Sequence, residues 1–526
     1  MESLILFETS ALHSDLSVED IRIGSRGYSH PSAPGYFSPH LAKSGSVTLS
    51  RSILENRNAF GFGSKDAARI IATNARGQYD ALRALGFGRA ATIKIGSKTG
   101  NYASMQPIFS GRVSAVKPAR GTCEFVWRGR SDLLDKPISE GAFAGTNDNI
   151  SIFYEGTQEG IGGQKKKRCG GYNYNIEPVL VNSGLRIFCW RWNKAGQRIA
   201  SAILHQVRVS GAVWTFDADY PTIDAMRAAG PVNGHYVTCL AESALMMGGS
   251  VPLSGGVRID VTAQSNAADR YASNLAKELI LEAGMTIDAT AWEDVASESP
   301  YEAGYYRDSE NYRAIIDGLM SSVLAWAVED RQGAVTCGSL PDLENGEPVA
   351  SFRLFGRGSG AAENDISITS LTPEFTGDDD LGIPAKEVQT TYCYNANPLS
   401  KDSIATGVDE SIRDQLSQMW RKTAPSVNET VAAQYENATT LLHETWLRYA
   451  ADAEQIRNRL ALFYSKVRER FTLKVSLTPE LAAAVSVGKL INIFHPRFGF
   501  SAGRVGFITA ENINSKQQRA TLRVLV

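Results

Sequence analysis

Ala453, Ile456, Leu460, Phe463 and Val467 recur at steps of three and four, which lines them along one helix face. After Phe471 the period falls to two. Leu473, Val475 and Leu477 alternate with Thr472, Lys474 and Ser476, the pattern of a strand with one buried side. Gly488, Gly499 and Gly503 then divide short apolar runs, and 520–526 is strand-like again. The C-terminal part therefore predicts a helix followed by a four-stranded β module carrying His495-Pro496-Arg497-Phe498-Gly499-Phe500. Nothing in that module is arranged for catalysis.

Upstream, 1–118 reads as β-rich, with alternation at Ile21-Arg22-Ile23 and Ala91-Thr92-Ile93-Lys94-Ile95. Between them 77–85 predicts two helical turns closed by Gly86. Within 119–255 the strand signals are 123–128, 179–192, 202–209 and 212–216, with Ser210-Gly211 suited to a two-residue hairpin. From 256 the pattern mixes. A strand at 257–261 precedes a helical stripe of Ala267, Tyr271, Leu275 and Leu279 that ends at Gly284. A second helix starts after the candidate N-cap Asp308, with Tyr312, Ile315, Leu319, Val323 and Trp326 inward. Asp330-Arg331-Gln332-Gly333 turns into a hairpin expected to pair 334–340 with 349–355. The stretch 356–400 reads as loop-rich, and 405–470 as mostly helical with a break at Pro425. These segments predict an α+β, β-rich, multi-domain chain divided at 1–118, 119–255, 256–400 and 401–526.

Composition narrows the function classes. Hydrophobic residues make up 43% and charged residues 21% of 526, which is ordinary globular composition. Lys and Arg total 54 against 56 Asp and Glu, so no global positive field favours nucleic acid. Six scattered cysteines without a CxxC read as reduced and buried. The start of the chain lacks the basic and apolar regions of a signal peptide, and no apolar run has the length of a membrane span. The expectation is a soluble protein synthesised in the cytoplasm.

Candidate chemistry is sparse. His443-Glu444 begins like HExxH, but Leu447 stands where the second histidine is needed. His495 reads as a surface histidine in a turn. Gly61-Phe62-Gly63-Ser64-Lys65 and Gly96-Ser97-Lys98-Thr99-Gly100 resemble phosphate loops without the required spacing, and strand–turn contexts explain them better. Asp378-Asp379-Asp380 with Glu374 reads as a charged surface loop rather than a calcium site. Lys165-Lys166-Lys167-Arg168 is the one dense basic run; it reads as a solvated loop, with lumen, DNA or partner contact as the functional alternative. Trp190 and Trp192 fall on alternate positions of one face, as core or subunit contact, with a sugar platform as the alternative. No catalytic set, cofactor or metal is expected.

Several segments resemble, in order, a family of bacteriophage tail proteins. Gly77-Gln78-Tyr79-Asp80-Ala81-Leu82 followed by Thr92-Ile93-Lys94-Ile95 is similar to the first domain of that family. Asp135-Lys136-Pro137-Ile138, Phe143-Ala144-Gly145-Thr146, and Gly163-Gln164-Lys165 leading to 175–181 continue the likeness. Gly234-His235-Tyr236-Val237-Thr238, 256–261 and Glu282-Ala283-Gly284 follow, and Pro496-Arg497-Phe498-Gly499-Phe500 with Gly503-Arg504 resembles the closing β module. The chain departs from the pattern in its basic run near 165 and in His495 before the proline. The resemblance implies a tail-tip or baseplate hub of a long-tailed phage or prophage, built from tube-like split β-barrels with inserted α+β domains. It implies three copies that close the tail tube, adapt six-fold to three-fold symmetry and open for DNA by conformational change. Distal-tail ring, fibre or spike, and tape-measure proteins would be its partners, and the virion tail tip its location. Because the sequence stops in a strand-like run, the fibre or spike is expected to be a separate protein. A hexameric distal-tail ring, a receptor- or carbohydrate-binding module, and a cell-wall hydrolase are the competing readings.

Overall fold

The computed structural model describes residues 4–12, 17–42, 48–54, 60–65, 68–84, 89–147, 154–249, 256–354, 365–374, 383–514 and 519–526. The chain is a multi-domain, β-rich α+β protein with barrel-like sheets near both ends of the sequence.

The C-terminal module is a closed six-stranded barrel. Around it run Leu490–Phe494, Ser351–Leu354, Ile366–Pro373, Arg470–Ser476, Arg519–Leu525 and Arg504–Asn514, and the last returns to the first through Leu490↔Phe507 and Ile493↔Arg504. The period-two reading holds here, since Leu473 and Val475 are fully buried and Lys474 and Ser476 exposed. The far half of Arg504–Asn514 stays paired with Arg519–Leu525 on one edge and pairs with Thr48–Ser52 on the other, so an N-terminal arm extends the C-terminal sheet.

The N-terminal sheet is a curled half-barrel, in the order Val18–Gly24, Leu4–Leu12, Ala90–Gly96, Gln106–Ala119, Gly121–Arg128, Ala68–Asn74. Segment 37–42 spans its two edges: Gly24 donates to the Ser38 carbonyl at 2.8 Å and Ala42 to that of Ile71 at 2.9 Å. Phe7, Phe109 and Trp127 fill the concave side, with Phe7 and Trp127 rings 4.5 Å apart.

Between the barrels lie two five-stranded sheets. One orders Ala212–Val213, Ile203–Val209, Val257–Thr262, Arg168–Ile176 and Gly304–Arg307; the other Val179–Asn182, Ile187–Cys189, Ala244–Met247, His235–Cys239 and Thr215–Asp219. The Ser210-Gly211 hairpin forms as expected, with φ of 48° and 82° at its two turn residues. Helices Ala272–Glu282, Ala289–Glu298 and Tyr312–Ser322 cover a small sheet of Thr286–Ile287, Ala334–Ser339, Ala325–Glu329 and Gly61–Phe62.

Several local expectations need correction. Asn311, not Asp308, caps the helix Tyr312–Ser322, because its side chain lies three residues before the Ala314 amide it accepts. That helix ends before Leu324, which turns left-handed at φ 52°, so Trp326 belongs to a strand. The turn at 330–333 consequently pairs Ala334–Ser339 with Ala325–Glu329, the nearest available strand, while Ser351–Leu354 joins the barrel. Helix Ala289–Glu298, capped by Asp288, was not foreseen. The stretch 356–400 contains the eight-residue strands Ile366–Pro373 and Ala385–Tyr392. Between 405 and 470 short strands alternate with the helices Glu410–Ser417, Glu429–Gln434 and Ala450–Phe463. Ala453, Ile456, Leu460 and Phe463 are buried as predicted, but Val467 lies past the helix end and is exposed. The turns after Gly77 form a 3-10 helix, Asp80–Ala84, pinned by Asn74, which donates to Asp80 and accepts from the Tyr79 amide. Gly86 lies outside the described residues.

Candidate functional site

The basic run does not form a solvated loop. Lys165 is exposed, with Nζ on the Glu140 carbonyl. Lys166 is buried, 2.9 Å from Glu155 and 3.1 Å from the Gly196 carbonyl. Lys167 lies 4.9 Å from the centre of the Tyr306 ring. Arg168 is buried and meets Glu282 with both arms of its fork at 2.8 Å, while Tyr312 Oη donates to the same carboxylate. Desolvation works against the Glu282 charge, but Arg168 and Tyr312 outweigh it and hold its pKa below the usual carboxylate value. The run thus leads into the strand Arg168–Ile176, and each deeper cation finds a partner.

Trp190 and Trp192 are also fully buried. Their strand ends at Cys189, so the alternation does not continue and the two rings enter separate apolar clusters. Trp190 Nε1 donates to Ser201 Oγ at 2.9 Å, and Trp192 packs edge-on to Phe143. Neither ring presents a face to a sugar.

A buried charge cluster is not visible in the sequence. Glu511, in the C-terminal barrel, sits between Arg51 of the N-terminal arm and Arg331 of the 330–333 turn. Arg51 Nε lies 2.8 Å from Glu511 Oε1, Arg331 Nη2 lies 2.8 Å from Oε2, and all three side chains are nearly inaccessible. Arg51 also reaches the Glu329 carbonyl, and the Glu329 carboxylate accepts the Arg130 amide on both oxygens at 2.9 Å. Burial alone would push the Glu511 pKa up; the two guanidinium groups reverse that and hold it down to about 2. A second set has the same form: Arg270 and Arg448 converge on Glu302 at 2.7 and 2.8 Å. These ties join segments 32 to 460 residues apart.

The remaining histidine readings divide. His443 is buried and donates Nε2 to the Ser321 carbonyl at 2.9 Å. His495 is buried too, stacked on Phe498 and accepting the Arg497 amide, which corrects its reading as a surface residue. Desolvation draws the His443 pKa down to about 4, partly offset by the Ser321 carbonyl. The unfolded imidazole therefore takes its proton first as pH falls. The stability held by neutral His443 is complete above the unfolded pKa near 6.5 and is lost as pH drops toward about 4. Between pH 7.5 and 5 this group should remove about 2 kcal/mol, at 1.36 kcal/mol per pKa unit. His443→Gln should flatten the melting temperature against pH over that interval; an unchanged slope would show that His443 is not buried neutral.

The phosphate-loop look-alikes lie in strand and turn contexts. Gly61–Phe62 pairs with Trp326 and Ala327, and the Phe62 amide donates to Asp317 at 2.7 Å, while Gly100 closes a turn onto the Ser97 carbonyl. Asp378, Asp379 and Asp380 lie outside the described residues; Glu374 is tied to Arg523 and Thr472. All six cysteines are buried and unpaired. Among the described residues no three His, Cys, Asp or Glu side chains group to hold a metal, and no helix is long and apolar enough to cross a membrane.

No family profile matches the sequence, and no curated protein does. Solved structures are similar at low identity. The 43 kDa tail protein of prophage MuSo2 from Shewanella oneidensis is 9% identical, over 99% of this chain and 98% of that one, with a TM-score of 0.41. The tail protein from Neisseria meningitidis MC58 is 8% identical, over 99% and 96%, with a TM-score of 0.42. A chain from the virion of a native gene transfer agent particle is 12% identical, over 70% and 85%, with a TM-score of 0.39.

Proposed function

We propose that this chain is a structural subunit of a phage-type tail tip, a hub that closes the tail tube, joins it to fibre or spike proteins and opens for DNA. It acts as a homotrimer at the tail tip of the virion after synthesis in the host cytoplasm. Its neighbours are the distal-tail ring and the tape-measure protein, and it carries out no bond chemistry.

The observation that carries this reading is where the charge goes. Lys166, Arg168, Arg51, Arg331, Arg270 and Arg448 are spent on carboxylates of the same subunit, each tying one segment to another. Such ties suit a part that must hold its shape under load. The colinear tail-protein segments supply the class of object. A ring also needs edges to join, and Thr215–Asp219 is the outer strand of its sheet with Phe216 half exposed.

The rotational symmetry of the purified assembly, seen by electron microscopy with its mass, tests the reading. Three-fold symmetry is expected; a six-fold ring would replace the hub with a distal-tail ring. On a host cell-wall zymogram the purified chain should leave no clearing, and clearing would overturn the non-enzymatic role.

A further inference from the structure

A hollow of about 580 Å³ lies between the Ile203–Val209/Ala212–Val213 hairpin and the segment 405–421. The hairpin is seated there by the Ala405 amide, which donates to the Ser210 carbonyl at 2.9 Å. Buried Tyr174 lines the hollow, with the guanidinium groups of Arg208 and Arg421 at 5.3 and 5.1 Å from its ring centre.

The two arginines differ in what they hold. Arg208 closes its fork on Asp260 at 2.8 and 2.5 Å, so its charge is compensated. Arg421 donates Nη2 to the neutral Gln415 amide oxygen at 2.8 Å and hydrogen-bonds the Tyr174 hydroxyl, both neutral partners, and among the described residues no carboxylate pairs with it. Its Nε is buried without an acceptor. A buried donor on a cation gains most from a charged oxygen, and a guanidinium fork matches a carboxylate.

Beside the polar Gln206, Gln415 and Asp409, the lining carries aliphatic side chains. Val213 is 59% exposed and Ile412 41% exposed, and Val408 lies with them. Asp409, the one carboxylate of the lining, is exposed and engaged with the amide and hydroxyl of Ser411.

We propose that this hollow binds an aliphatic carboxylate, with Arg421 holding the carboxylate and Val213, Val408 and Ile412 the hydrocarbon. The chemistry is that of a polypeptide terminus ending in an aliphatic residue, or of a short free acid. The site does not depend on the chain belonging to a tail.

Calorimetric titration of the full chain tests it with two matched pairs: hexanoate against hexanamide, and acetyl-Ala-Val-Leu with a free against an amidated terminus. In at least one pair the acid should bind about tenfold tighter than the amide, as a charge-assisted fork requires. That preference should vanish in Arg421→Gln, checked for an unchanged melting temperature, and persist in Lys422→Gln. A stronger peptide acid assigns a partner's chain terminus, and a stronger hexanoate assigns a free acid. Absence of an acid preference in both pairs, or its survival in Arg421→Gln, would overturn the proposal.

Discussion

Glu511→Ala should destabilise the protein by about 3–5 kcal/mol, the range for breaking a buried ion pair by removing one partner. The substitution leaves Arg51 and Arg331 facing each other without the carboxylate that both contact. Because those arginines come from the N-terminal arm and the 330–333 turn, the loss should loosen the joint between the C-terminal barrel and the rest. Urea unfolding followed by tryptophan fluorescence measures the loss, and limited proteolysis locates it. Removing the arginines as well, in Arg51→Met/Arg331→Met/Glu511→Ala, should recover much of the stability, since an apolar filling avoids stranded charge. A single-variant loss below about 1 kcal/mol would mean that the pair behaves like an exposed one. The wild type should also weaken in acid for this reason. Its Glu511 pKa lies below the ordinary 4.5, so the stability from this group is full above that value and lost as pH falls toward about 2.

Gly171→Ala should cost a similar amount by a different route. Gly171 and Gly304 face each other across Arg168–Ile176 and Gly304–Arg307. A Cβ on Gly171 would lie 1.9 Å from the Ala303 carbonyl oxygen, and one on Gly304 would lie 1.9 Å from that of Tyr172. Gly171 also has φ of +69°, which costs an L-residue roughly 1–2 kcal/mol. Forcing backbone apart in a packed sheet adds roughly 1–3 kcal/mol. Gly163→Ala is the control: its φ is +77°, but nothing stands within 4 Å of the added carbon. Thermal unfolding should show a much larger drop for Gly171→Ala. Equal drops would mean that conformation alone matters and the close approach does not.

Much of the local structure was legible in the sequence. Period two at 472–477, the helical stripe from Ala453 to Phe463 and the Ser210-Gly211 hairpin depend on neighbours within a few residues. The errors mark where local signals compete. Asp308 is read as the cap from the sequence, whereas the backbone path brings Asn311 to the orphan amide of Ala314. Trp326 continues the helical stripe in sequence, but the left-handed turn at Leu324 ends the helix and places it in a strand.

The functional candidates changed most. The basic run looked like a solvated loop because a sequence displays charges without their partners. Glu282 lies 114 residues from Arg168, and Glu511 lies 460 residues from Arg51. The tryptophans looked like neighbours on one face because the strand end at Cys189 is invisible to alternation.

By itself the sequence determined the β-rich α+β class, four of the six barrel strands of the C-terminal module and the resemblance to tail proteins, all of which rest on short-range periodicity or on the order of motifs. Only the tertiary structure decided which charges meet a carboxylate and which, like Arg421, meet only neutral partners. Hydrogen bonds along one element are chosen by adjacent residues, whereas a buried charge is matched by whatever segment the fold carries past it.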